Sequence, residues 1–328
     1  MHVIRGNSVN DLFIDGLWRL KVSGHREDSR NGPVIALDTP ATSIYTFPAD
    51  RVLFNVRRDA NPFFHLMESL WMLAGRKDVA FLEHYNKNMR SFSDDGESFN
   101  GAYGHRWRKW FLRDQIVEAI KMLKHSHQTR RVVIGMWDPA YDLGHPSADI
   151  PCNTHIYFRS NFTGLEMTVC CRSNDAVWGA YGANAVHFSI LHEFIARAVE
   201  QRQGKMYQIS NNLHIYEHHW DLLDTPVKDY CPYDLRTDLV QPLFTHSHQW
   251  PLFLEDCEVM EVGLYPNYHT KFFSEVVRPA MRSYAAFRAG DINAALSATT
   301  QMPMCDWRIA MESWLIRRLP KGEENGSK

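Results

Sequence analysis

No apolar run in the sequence approaches ~18 residues, which excludes a membrane-spanning helix. The opening stretch, MHVIRGNSVNDLF, has no basic-then-apolar layout of a secretion signal, so we expect a cytoplasmic protein. Cysteine is sparse. The six residues Cys152, Cys170, Cys171, Cys231, Cys257 and Cys305 in a chain of 328 make no disulfide framework. A surplus of charge is also lacking: 36 basic side chains face 38 acidic ones, for a net charge of −2. That balance gives no broad basic surface and argues against duplex nucleic acid as a ligand. Any phosphate must then be held by a local arginine cluster. There is no internal repeat and no low-complexity tract beyond the polar tail PKGEENGSK, which we expect to be disordered.

What is there is an ordinary globular composition, 45% apolar and 23% charged. Residues 1–60 carry short β-rich runs, SIYTF and RVLFNV, read as strands. Asn61–Ala74 reads as a helix, with Pro62 suited to its first position and Gly75 to its stop. Its apolar side is Phe64, Met67, Leu70, Trp71 and Leu73, with Glu68 on or beside it. A Gly/Asp/Ser-rich loop, RSFSDDGESFNGAYG, follows. DQIVEAIKMLKH and SILHEFIARAVEQ read as helices; RRVVIGMW, THIYFRS and LEMTVCCRS read as strands. From about Phe272 the spacing is helical, in FFSEVVRPAMRSYAAFRAG, DINAALSATT and DWRIAMESWLIRRL. The fold class is therefore mixed α/β (α+β). We expect a catalytic domain over 1–265, a C-terminal helical extension over 266–320 and a tail over 321–328.

Cys152 follows a proline in ADIPCNTHIYF, ahead of a strand. A lone cysteine is most simply a buried apolar residue, but this one has basic company. CRSND places Arg172 and Ser173 at a strand end, and Arg130–Arg131 lie upstream. Guanidinium groups favour the thiolate and bind phosphate through paired contacts, so a nucleophilic cysteine with an anionic substrate is expected. The histidines of HIYEHH and HSH lack the carboxylate or thiolate partners of a metal site, and no metal is expected. Cys152 with His155 lacks a protease signature.

These strings resemble thymidylate synthase and its relatives, the pyrimidine-nucleotide hydroxymethylases, in order from about residue 5 to residue 220. SRNG resembles the early phosphate loop, HLMESLWMLAG the glutamate helix, and FNGAYGHRWRKW the tyrosine loop. TRRVVIGMWDP carries the arginine pair, IPCN the nucleophile, CRSND the second phosphate arginine, and NLHIY the ribose contacts. The resemblance implies a thymidylate synthase-like mixed sheet with surrounding helices, and 5,10-methylenetetrahydrofolate as cofactor. It implies that Cys152 attacks C6 of a pyrimidine nucleoside monophosphate, so that C5 attacks the folate methylene. Glu68 would manage protons through water and Tyr103 would be the active-site tyrosine. Arg30, Arg172 and Ser173 would grip the 5′-phosphate, with Arg130 and Arg131 supplied by the partner in a homodimer. Asn153, His214 and Tyr216 would bind substrate, while Asp175, Trp178 and Gly179 would face the pterin. Four residues rather than three separate Gly179 from the next asparagine, so a one-residue insertion makes Asn184 the reader of the base.

Three departures bear on the product. Met89 or a neighbour, in YNKNMRSF, replaces the tryptophan that shields the exocyclic methylene from water. Asn153 replaces the histidine after the nucleophile. The chain also continues into helices instead of ending in a short apolar C-terminus. An open site lets water capture the methylene, so a hydroxymethyl product is favoured over the methyl product of a true thymidylate synthase acting on dUMP. With Asn153 in place of histidine the Asn184 amide is freer to flip, which leans the substrate toward CMP or dCMP with dUMP close behind. An idle nucleotide- or RNA-binding relative has no use for Cys152, Glu68 and Tyr103 together.

Overall fold

The computed structural model describes residues 1–224 and 237–320. Cys231 and the tail 321–328 lie outside the described residues. Among the described residues ten strands form two sheets: β1 (His2–Gly6), β2 (Gly24–Ser29), β3 (Gly32–Leu37), β4 (Ala41–Tyr45), β5 (Val133–Gly135), β6 (Asn153–Asn161), β7 (Gly164–Cys171), β8 (Asn174–Asp175), β9 (Gln203–Ser210) and β10 (Leu213–Tyr216). A six-stranded sheet runs β1-β4-β9-β7-β6-β5 and a four-stranded one runs β2-β3-β10-β8. The helices used below are α1 (Val9–Ser23), α2 (Pro62–Leu73), α3 (Val79–Tyr85), α4 (Tyr103–His105), α5 (Gln115–His125), α6 (Pro139–Asp142) and α7 (Asn184–Ala198). Further along come α8 (Asp221–Asp224), α9 (Trp250–Glu258), α10 (Arg278–Arg288), α11 (Ile292–Thr299) and α12 (Asp306–Ile316).

Local chemistry sets the main boundaries. Asn61 caps α2 by accepting the Phe64 N–H, with Pro62 just inside the helix. Every residue of α2 is buried, as is nearly all of α7, so the two helices form the centre of the core. Glu68 and Asn184 are carried on these two rigid interior elements. The alternating strands β7 and β9 bury Met167, Val169, Met206 and Gln208 on one face and leave the other partly open.

Two expectations change. RVLFNV is not a strand, because Asn10 takes the backbone groups a neighbouring strand would use: its Nδ2 donates to Val52 O and its Oδ1 accepts from Phe54 N. The run RRVVIGMW shortens to Val133–Gly135. The C-terminal helices share the hydrophobic core with the rest of the protein. Phe63 of α2 meets Tyr284 at 5.2 Å and Trp314 at 5.7 Å between ring centroids, and the Tyr284 hydroxyl donates to Tyr85 O.

Candidate active site

Cys152 ends the loop that feeds β6. The Arg172 backbone N–H donates to Cys152 O at 2.8 Å, and its guanidinium donates to Pro151 O and Ile150 O at 2.9 Å each. Arg172 thus clamps the thiol's own loop and leaves Nη1 for another acceptor. Arg30, at the β2–β3 turn, donates to Ala148 O on the far side of that loop. The sequence argument had the guanidiniums lowering the thiol pKa. Burial instead pushes the Cys152 thiol up, and the opposing pull of Arg172, Arg30 and the Tyr103 hydroxyl does not reverse it.

Asp149 was missed by sequence reasoning, since a loop aspartate carries no local signal. Burial raises its pKa to about 6, although Gly101 N donates to it. As a carboxylate it opposes ionisation of both Cys152 and Tyr103. Tyr103 opens α4 against α2, and a side chain at Gly104 would lie 1.9 Å from Met72 O, so only glycine lets the two elements approach this closely. Asn153, next in the chain after Cys152, is fully buried, and its Oδ1 accepts from the Cys171 thiol. Burial keeps that thiol protonated.

The stretch Ala176–Ala183 before Asn184, where the extra residue was expected, is kinked: Tyr181 and Gly182 leave helical backbone geometry there. Asp175 caps this stretch, accepting from Val177 N and Trp178 N. Asn184 Nδ2 donates to Asn174 Oδ1 at 3.1 Å, and Asn174 Nδ2 donates to Ser210 Oγ at 2.9 Å. A side chain at Gly179 would lie 2.7 Å from Asn174 Oδ1, so a glycine there leaves room for this buried chain of amides. Ser173 is half-buried between Arg172 and Asn174. On β10, His214 holds Asn212 through Nδ1, and burial depresses its pKa. Tyr216 meets Asn31 beside Arg30. Glu68 is 8% exposed, and its Oε2 lies 2.8 Å from Nε2 of His187, a second residue the sequence did not flag.

Arg130 and Arg131 are exposed and do not join this group. Val133 pairs with Tyr157, so the chain before β5 leads toward Arg159. That end is seven residues along from Cys152, roughly 23 Å at the strand rise. Of the histidines considered for a metal, His218 stacks on Tyr216 and His246 on His248.

A cavity of about 650 Å³ opens between α2, the Tyr85–Lys87 turn, Trp178 and the C-terminal helices. Phe64, Trp178, Tyr284, Phe287 and Trp314 make aromatic walls, and Arg58, Lys87 and Arg288 bring positive charge, while Arg318 is ion-paired with Asp59 in the same lining. Flat rings joined to a carboxylate tail suit such a lining, so these residues fit a folate. Met89 turns into the core, 8% exposed, while Phe92 stands half open with its ring 6.5 Å from Trp178.

The sequence profile of the thymidylate synthase family matches residues 55–238. The deoxyuridylate hydroxymethyltransferase of Pseudomonas phage M6 is 41% identical over 97% of this chain and 95% of its own. That of Bacillus phage SP01 is 37% identical over 66% of this chain and 59% of its own. The crystal structure of the T4 phage thymidylate synthase aligns with a TM-score of 0.52 at 23% identity, covering 64% of this chain and 77% of that one. The fold and its relatives define a one-carbon transferase. The chain belongs to the thymidylate synthase family, which uses methylenetetrahydrofolate.

Proposed function

We propose that the protein hydroxymethylates C5 of deoxyuridylate. The observation that carries the reading is the assembly around Cys152, a thiol with Arg30, Arg172 and Tyr103 at hand; an aromatic cavity lined by Phe64 and Trp178 supports it. When bound, methylenetetrahydrofolate supplies a carbon at the oxidation level of formaldehyde. Arg172 and Arg30 hold the nucleotide phosphate, and their positive charge opposes the burial that raises the Cys152 thiol. Cys152 adds to C6, Tyr103 orders the proton traffic beside it, and Asn184 reads the base edge. Phe64 and Trp178 hold the cofactor rings, and the C-terminal helices form the opposite wall. Dimerisation through the open face of the six-stranded sheet, which carries Tyr157, Tyr207 and Ile209, brings Arg130 and Arg131 to the partner's phosphate.

Water rather than hydride completes the reaction in this reading, because Met89 is turned into the core and puts no indole over the methylene. The leaning toward cytidine nucleotides rested on a freely flipping Asn184. Its anchor on Asn174 supplies a restraint, because a flipped amide would set oxygen against oxygen unless Asn174 turned as well. The substrate named for the phage M6 and SP01 relatives supports deoxyuridylate. The test follows the folate by absorbance. A hydroxymethylase releases tetrahydrofolate with no rise, whereas stoichiometric dihydrofolate would restore the methylating synthase. Cys152→Ser must abolish turnover and keep nucleotide binding, which an idle binder would not require.

A further inference from the structure

One buried group beside Glu68 has no part in the scheme above. His187 is 3% exposed and stands on α7, three residues beyond Asn184. Its Nε2 is 2.8 Å from Glu68 Oε2, yet neither ring nitrogen nor that carboxylate oxygen is aligned in a hydrogen bond with any protein group among the described residues. Interiors rarely keep three such atoms unspent, and where they do a water or a ligand uses them. His65, one turn before Glu68 on α2, is held neutral by its burial and by Arg58 and His187.

We propose that His187 is a positioning residue: it orients the Glu68 carboxylate and, through it, the water that adds to the exocyclic carbon of the Cys152-bound nucleotide. The proposal rests on the hydroxymethylase reading. In the step, the water oxygen bonds to the exocyclic carbon and its proton passes to Glu68. The electron pair of the C5–methylene double bond moves into the ring to give the enolate at O4. Collapse of that enolate restores the C5–C6 double bond and expels the Cys152 sulfur as thiolate. Glu68 then returns its proton to solvent. No oxidant or reductant is needed.

The experiment compares wild type, His187→Leu and His187→Gln as full-length protein, with folding checked by circular dichroism. Without folate, release of tritium from C5 of labelled deoxyuridylate reports Cys152 addition together with proton exchange at C5, before any carbon is transferred. With methylenetetrahydrofolate, product is quantified by mass and the protein-bound nucleotide is measured after denaturation. We expect exchange within about twofold of wild type in both variants. Hydroxymethyl formation should fall about a hundredfold in His187→Leu, with the covalent adduct accumulating, and about tenfold in kcat at unchanged KM in His187→Gln, which keeps a donor toward Glu68. Should the leucine variant fail to fold, the glutamine variant still decides, because a wild-type kcat there overturns the proposal. Normal product formation in His187→Leu, or exchange lost in step with product, also overturns it. Absence of exchange in wild type would instead fail the function reading itself and the proposal with it.

Discussion

Replacing Asn174 by alanine cuts the amide chain that fixes Asn184. The wild-type side chain accepts from Asn184 Nδ2 at 3.1 Å and donates to Ser210 Oγ at 2.9 Å, and all three residues are at most 7% exposed. Truncation leaves the Asn184 donor buried without an acceptor, which costs about 1–3 kcal/mol. The same free energy biases the amide toward one orientation, so its loss lets oxygen and nitrogen exchange places. Preference for one pyrimidine over the other should then fall roughly fivefold to a hundredfold. The assay is the ratio of kcat/KM on dUMP to that on dCMP, with urea unfolding measured in parallel. We expect the variant to be less stable by the stated amount and to use the two bases more evenly. A variant destabilised as expected that keeps its base preference within about twofold would refute the idea that Asn174 orients the reader.

Other outcomes follow from single groups. Asp149 is more readily protonated folded than unfolded, since its pKa of about 6 stands above the ordinary 3.8, so charging it costs stability as pH rises through about 4 to 6. Asp149→Asn should therefore gain up to about 2–3 kcal/mol over wild type at pH 7 and nothing below pH about 4, read by urea unfolding across pH. The same change removes a charge opposing the thiolate, and alkylation of Cys152 should quicken roughly three- to tenfold. Gly104→Ala would set a methyl group 1.9 Å from Met72 O, and melting should show a loss of at least about 1–3 kcal/mol together with a displaced Tyr103. Trp314→Ala should raise KM for the folate about tenfold with nucleotide affinity unchanged, because that ring walls the cavity but stands apart from Cys152. It should also cost about 3–5 kcal/mol, since the ring is 4% exposed.

Local structure around the proposed site was legible where it is written in short strings. IPCN, CRSND and HLMESLWMLAG each hold a proposed reactive or binding group together with the turn or helix that presents it. Cys152 and Arg172 are brought together because β6 and β7 pair, with Asn153 opposite Cys171, and a run of strands announces that pairing. Asp149 and His187 were illegible for the opposite reason. Neither differs in type from a solvent-facing residue, and only burial beside partners far along the chain gives each its character. The cavity wall was hidden likewise, since Phe64 and Trp314, which both line it, lie most of the sequence apart. Burial also outweighs the arginines in setting the Cys152 thiol, a balance that depends on packing and not on neighbours in sequence. RVLFNV misled because its pattern suits a strand, while the side chain of Asn10 supplies the hydrogen bonds.

The central claim is that this chain places a hydroxymethyl group on C5 of deoxyuridylate. Incubating it with methylenetetrahydrofolate and each of dUMP, dCMP and CMP, then reading the nucleotide by mass, tests base, sugar and product in one measurement. The account predicts 5-hydroxymethyl-deoxyuridylate as the main product, with tetrahydrofolate released. A 5-methyl product, or a hydroxymethyl product formed only from the cytidine nucleotides, would contradict it.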